Sequence, residues 1–358
     1  MTPSHRDTVL VTGGAGFIGS ALVRRLIESF DGRVVVVDSL TYAGHLESLE
    51  GVSRHPNFAF EHVDITDAKA VRTCFETWSP RIVFHLAAES HVDRSIDSPA
   101  TFVETNIVGT YIVLEAALGA WRIVGTDRRA RCKFIHVSTD EVFGSLGPRG
   151  AFTETTAYAP RSPYSASKAA SDHLARAWHH TYGLPVIVTN CSNNFGPYQL
   201  PEKFIPVVIR SALSRRVVPV YGTGENIRDW LYVNDHVDAL CRVASAGEVG
   251  QTYLIGASNE RRNIDIAREI CAILDELRPS ADGSYIDLIE YVEDRPGHDM
   301  RYAIDATVTR DELDWRPAHG FADALRETVS WYLANEEWCS VVMAGGPEGE
   351  RLGTGRQA

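Results

Sequence analysis

At 358 residues the chain is long enough for one or two compact units and too short for a large multidomain assembly. Hydrophobic residues make up 44% and charged residues 23%, which excludes a disordered, collagenous or fibrous protein. The 35 Lys and Arg against 47 Asp and Glu give a net charge of −12, so no non-specific attraction to nucleic acid or to an anionic membrane is expected, and an anionic ligand would need local donors.

The start, Met1 to Asp7, lacks the apolar stretch of a signal peptide, and no apolar run approaches the roughly 18 residues of a membrane span. This reads as a cytoplasmic protein. Six scattered cysteines form no C-x-x-C pair and thirteen histidines no H-E-x-x-H, so neither a metal site nor a disulfide framework is expected.

Short β-branched runs predict strands at Thr8–Thr12, Arg33–Asp38, Arg81–Ala88, Lys133–Thr139 and Pro185–Cys191, separated by helix-patterned segments such as Ile18–Phe30. The alternation predicts an α/β fold, a Rossmann-type doubly wound parallel sheet of βαβ units. Beyond residue 191 the pattern becomes mixed and Pro-punctuated, with helices expected at Arg262–Leu277 and Phe321–Asn335. The chain thus divides into a cofactor domain over 1–191 that includes the catalytic residues, a smaller mixed α/β lobe over 192–344 with possible crossovers, and a disordered tail over 345–358.

The first strand runs into Gly13, Gly14, Gly16 and Gly19 and then a helix, the context in which such glycines let a backbone approach a pyrophosphate. The second strand ends at Asp38, about 20 residues on, where a carboxylate can accept both adenosine ribose hydroxyls and repel a 2′-phosphate. NAD is therefore expected rather than NADP. Asp64 and Ile65 follow the next strand-like run and are placed beside the adenine, and Leu86, Ala87 and Ala88 supply small side chains where a sheet edge lies against the cofactor.

Tyr164 and Lys168 are four residues apart at the start of a helix-like segment, on one face. A nearby ammonium is expected to lower the phenol's pKa toward that of a working base. Ser138 and Thr139 end the strand before them, and Asp140 and Glu141 follow. Redox at one carbon needs no such carboxylate pair, whereas removing water across two neighbouring carbons needs one acid and one base.

These motifs, with Leu40 to Gly44, Leu86 to Ser95, Ser138 to Gly144, Asn190 to Asn194 and Asp294 to His298, resemble the dTDP-glucose 4,6-dehydratase family of the extended short-chain dehydrogenase/reductase superfamily from about Val9 to Trp331. The resemblance implies a tightly held NAD, with dTDP-glucose losing water by C4 oxidation, C5/C6 elimination and hydride return to C6. It implies Tyr164 as the base at the C4 hydroxyl with Lys168 tuning it, Thr139 on the sugar, Asp140 as acid at the C6 hydroxyl and Glu141 as base at C5. Phe17, Ile18, Ser39, Leu40, Thr41, Thr105 and Asn194 would join the cofactor contacts. Ser90, Asn193, Lys203, Phe204, Pro219, Val220, Tyr221, Arg228, Asn263, Arg295 and His298 would contact the sugar nucleotide. Departures are His45, where the family usually has Asn, Ser39 for Lys, and Phe143 and Phe195 for Tyr.

A UDP-sugar dehydratase, a 4-epimerase of the same fold, and an NAD-binding sensor or scaffold stand as alternatives. A homodimer through helices near 101–118 and 169–182 is expected.

Overall fold

The computed structural model describes residues 7–294 and 297–344; Arg295 and the expected tail at 345–358 lie outside the described residues. Seven parallel strands form the main sheet in the order β10-β6-β5-β4-β1-β2-β3. They are β1 (Thr8–Thr12), β2 (Arg33–Asp38), β3 (Phe58–His62), β4 (Ile82–His85), β5 (Lys133–Thr139), β6 (Val186–Cys191) and β10 (Thr252–Ile255). The runs Val9–Val11 and Val34–Val37 are buried on both faces, as a parallel sheet covered by helices requires.

The predicted fold class holds, with strand ends trimmed by a few residues. The expected strand at Arg81–Ala88 stops at His85, because Leu86 to Ala88 leave the sheet to line a cavity. Beyond residue 191 the chain does not stay in one lobe. Helix Val233–Ala246 returns to pack Val237, Leu240 and Val243 against Leu22 and Leu26 of the Phe17–Ser29 helix, and β10 joins the edge of the first sheet.

The second lobe has its own core, in which helices Phe204–Leu213, Asn263–Leu277 and Phe321–Ala334 bury Ile209, Ile270 and Leu325. Two small sheets carry it. One has the order β11-β9-β7, from β7 (Asn193–Phe195), β9 (Ile227–Tyr232) and β11 (Glu260–Arg262); the other pairs β8 (Val218–Tyr221) with β12 (Ile289–Val292).

Contrary to the expectation of no long apolar segment, helical chain over Pro99–Arg122 has the length and mean hydropathy, 1.2, of a membrane span. Its Val113, Leu114, Ala117 and Leu118 are buried against Phe75 and Phe134 of the Rossmann core, so apolarity here reflects core packing on one face.

Candidate active site

One cavity of about 320 Å³ opens along the C-terminal edge of the main sheet, the ligand crevice of open α/β sheets. Its floor is the turn after β1. Gly13 adopts φ +69°, and a Cβ there would lie 2.7 Å from the Ala87 nitrogen. A Cβ at Gly19 would run into the Gly13 carbonyl, so the helix can start against the turn only with glycine. This leaves a backbone cradle at a helix N-terminus, which fits a pyrophosphate.

Asp38 lines the cavity at the end of β2. The Ala15 and Leu40 backbone N–H groups donate to its two oxygens, each at 2.9 Å, which fixes the carboxylate and leaves lone pairs for ribose hydroxyls. Burial raises its pKa against those two donors. A π-helical turn at Val103–Gly109 brings Thr105 to the cavity. Asn106, next along, pins Glu89 by accepting from its N–H at 2.8 Å and donating to its carbonyl at 3.0 Å.

The catalytic candidates converge at the other end of the same cavity. Ser162 caps the Pro163–Tyr182 helix in a reciprocal box with Ser165, Pro163 takes its first position, and Gly183 ends it at φ +67°. Thr139 ends β5 and caps a short 3₁₀ turn by accepting from the Glu141 N–H at 3.3 Å. A Cβ at Gly144, at φ +82°, would collide with the Ala159 carbonyl, so glycine permits this turn to close under the site.

Asp140 and Glu141, adjacent in sequence, occupy unlike surroundings. Asp140 is 1% exposed; burial, then the charges of Glu141 and Asp229, push its pKa well above the usual range despite nearby Arg228. Burial thus favours its neutral form, and its Oδ2 has no hydrogen-bond partner among the described residues. Glu141 is only half-buried. The two neighbouring carboxyls thus differ in burial, the kind of asymmetry that separates an acid from a base.

Tyr164 and Lys168 are both buried. The expected lowering of the phenol is not what the protein alone produces: burial, then Glu141, raise the Tyr164 pKa well above 10, offset in part by a hydrogen bond from Thr139. Lys168 donates to the Val137 carbonyl at 2.9 Å, and burial lowers its pKa.

Of the sequence-predicted residues, Gly13, Gly16, Phe17, Ile18, Gly19, Asp38, Ser39, Thr41, Asp64, Ile65, Leu86, Ala87, Ala88, Ser90, Thr105, Asn193, Asn194 and Lys203 line this cavity with the catalytic five. Gly14 and Leu40 support it from behind. A Cβ at Gly14 would lie 2.8 Å from Val36, and Leu40 packs on the core at φ +53°. Phe204, Pro219, Tyr221, Arg228, Asn263 and His298 belong to the second lobe outside the cavity lining. Val220 is fully buried in that lobe's core, alternating inward along β8 while Pro219 and Tyr221 turn the other way. Phe143 and Phe195 are 4% and 1% exposed within aromatic clusters, where a tyrosine hydroxyl would need a buried partner.

Sequence reasoning missed Glu89, Gln199 and Glu202, which also line the cavity. Glu202 accepts from Arg94 at 3.0 Å, and Arg94 lies 4.0 Å over the Tyr42 ring, so the loop after β2 is tied to the second lobe across the cavity mouth. The adjacency of Glu202 to Lys203 was the available signal.

Residues 10–328 match the family model for GDP-mannose 4,6 dehydratase. The chain is 57% identical over 346 residues to a dTDP-glucose 4,6-dehydratase of Shigella flexneri, covering 94% of this chain and 96% of that one. It is 55% identical over 352 residues to the dTDP-glucose 4,6-dehydratase of Neisseria meningitidis serogroup B, covering 97% and 99%. A dTDP-glucose 4,6-dehydratase of Streptomyces venezuelae, solved with NAD bound, superposes with a TM-score of 0.85 at 42% identity over 94% of this chain and 99% of that one. With fold, cavity and full-length similarity in agreement, the chain belongs to the GDP-mannose 4,6-dehydratase family and, within it, stands with the dTDP-glucose 4,6-dehydratases.

Proposed function

We propose that the protein is an NAD-dependent dTDP-glucose 4,6-dehydratase, a hydro-lyase yielding dTDP-4-keto-6-deoxyglucose and water. The observation that carries the chemistry is the pair of neighbouring carboxyls, one fully buried with its pKa raised and one half-buried, lining one cavity with Tyr164 and Lys168. Bound oxidised NAD, which the glycine turn at Gly13 to Gly19 and Asp38 would hold, would supply the hydride acceptor.

The chain's own residues do the rest. Tyr164 takes the C4 hydroxyl proton, with Thr139 donating to the phenolate as charge develops. Glu141 removes the C5 proton, made acidic by the new C4 ketone, and Asp140 gives its proton to the departing C6 hydroxyl. Asp38 holds the adenosine ribose, and its charge favours NAD over NADP. Arg228 and Lys203 answer the acidic field of the whole chain by facing the diphosphate. Residues 1–191 thus mainly serve the cofactor and the reaction, and 192–344 mainly the sugar nucleotide.

The direct test follows turnover of dTDP-glucose in deuterated water without added reductant. Loss of water with one solvent deuteron at C5 supports the reading. Turnover of UDP-glucose alone would move the substrate, and no dehydration of either would overturn the dehydratase reading in favour of a sensor or an epimerase.

Val103, Val108 and Tyr111 are exposed along the Pro99–Arg122 helices, and Tyr111 meets Trp178, which meets Tyr182, edge-on. This apolar face supports a homodimer; a monomeric mass in solution would refute it. A doubly charged sugar nucleotide does not cross bilayers, which supports a cytoplasmic setting.

A further inference from the structure

The stripe that begins with Tyr164 and Lys168 does not end there. At the same four-residue step, the Pro163–Tyr182 helix continues with Asp172 and Arg176, a ridge of phenol, ammonium, carboxylate and guanidinium. Asp172 is fully buried, yet it lies outside the cavity and no step described above uses it. Its Oδ1 accepts from His136 Nε2 at 3.0 Å, and its Oδ2 accepts from the Tyr158 hydroxyl at 2.8 Å and from Asn190 Nδ2 at 3.1 Å. The same Asn190 amide donates to the Thr139 carbonyl at 3.0 Å, so one carboxylate is joined by a single side chain to the backbone that carries Thr139, Asp140 and Glu141.

We infer that Asp172 is a positioning residue for the dehydration, the buried carboxylate one helical turn beyond Lys168 that, through Asn190, holds the Thr139 end of β5 in register with Tyr164. The inference rests on the functional reading above and extends it one helical turn deeper.

The titratable groups around Lys168 are Tyr164 and Asp172 on its own helix, His85 on β4, His136 on β5 and Cys191 on β6. Burial lowers the pKa of both histidines, against the Asp172 hydrogen bond at His136, and pushes the Cys191 thiol up to about 12. Asp172 itself, although burial alone would raise it, is held low by its His136 hydrogen bond and the Lys168 charge. Among these groups it is the full negative charge. A buried ammonium without one sheds its proton, and a neutral Lys168 cannot support a phenolate at Tyr164. Arg176, which donates to the Tyr158 hydroxyl at 2.8 Å, closes the far end of the ridge.

The test is Asp172→Asn, which keeps the shape and removes the charge, read by the pH profile of the first hydride transfer in the holoenzyme. The alkaline limb should move about 1–3 pH units lower, with kcat down about tenfold or more and KM for the sugar nucleotide within about twofold. Asp172→Glu, which restores the charge, should return the limb toward its wild-type position. A folded Asp172→Asn with a wild-type alkaline limb would overturn the inference. Should that variant fail to fold, carbon-13 NMR of the wild-type lysine side chains decides, with Lys168 assigned by its loss in Lys168→Arg. Lys168 still charged at pH 8 supports the inference, and a neutral Lys168 at that pH sinks it.

Discussion

The two halves of the site are built in different ways. On the cofactor side, the contacts come from consecutive chain: the turn after β1, the end of β2 and the end of β4, each fixed by backbone that has nowhere else to go. On the sugar-nucleotide side, the expected contacts come from separate segments, and several of their charged groups already have partners inside the protein. Arg228, 5% exposed, donates to the carbonyls of Ile227 at 2.8 Å and Asp299 at 2.9 Å, and His298 meets Asp294 at 2.6 Å. The difference teaches that the cradle for a resident cofactor is set by local geometry, whereas a transient substrate meets groups that must exchange partners to bind it. Changes on one side should therefore alter cofactor content, and changes on the other should alter KM.

The largest effect is expected where the halves meet. Tyr164→Phe should lower turnover by about 10³-fold or more and abolish the first appearance of reduced-nicotinamide absorbance, while the purified protein keeps its cofactor. A normal burst would remove Tyr164 from its role. Next come the two carboxyls, with losses of about 10²-fold each but at different steps. Asparagine imitates a protonated Asp140 in shape without an acidic proton, so Asp140→Asn should retain deuterium exchange at C5 and lose water elimination. Glu141→Gln should permit C4 oxidation and lose that exchange. Identical behaviour of the two variants would show that the unlike surroundings do not assign unlike roles.

Arg228→Lys tests the substrate side. Losing the planar fork should raise KM and cut kcat/KM about 10–100-fold with cofactor content unchanged. Loss of cofactor from this variant would break the division between the halves.

The same contrast decides what could be read from sequence. The glycines, Asp38, the Thr139 to Glu141 trio and the Tyr164–Lys168 pair were legible because each is a short motif whose spacing alone sets its geometry. That Val220 turns inward along β8 was not legible, because a motif does not reveal which face of a two-sided strand a residue takes. Glu202 escaped because its place depends on a loop from one lobe meeting a helix from the other, and Glu89 because it is pinned by Asn106 from a distant π-helical turn. Tyr164 was given a lowered pKa from its neighbour alone, whereas burial and Glu141 set the outcome. Asp172 could have been found, since it repeats the four-residue step of the pair already singled out.

The smallest expected effect lies at the seam. His236, on the helix that returns to the first lobe, is fully buried and meets the Asn194 Oδ1 through its Nδ1 at 2.8 Å. Because that partner is an acceptor, the proton sits on Nδ1, and the buried Nε2 has no partner among the described residues. A second proton there would find no acceptor, and burial accordingly lowers its pKa to about 3. In the unfolded chain the same group titrates near 6.5, so between these values the unfolded state binds more protons and stability falls as pH falls. This histidine alone contributes a slope approaching about 1.4 kcal/mol per pH unit below 6.5. Denaturation midpoints measured from pH 7 to pH 5 should show a shallower slope by about that amount in His236→Asn, whose amide can still donate to Asn194. Because Asn194 lines the cofactor cavity, bound NAD should oppose the acid destabilisation by mass action. Equal slopes in wild type and variant would mean that His236 takes its proton without unfolding, and that the seam between the two halves opens at acid pH on its own.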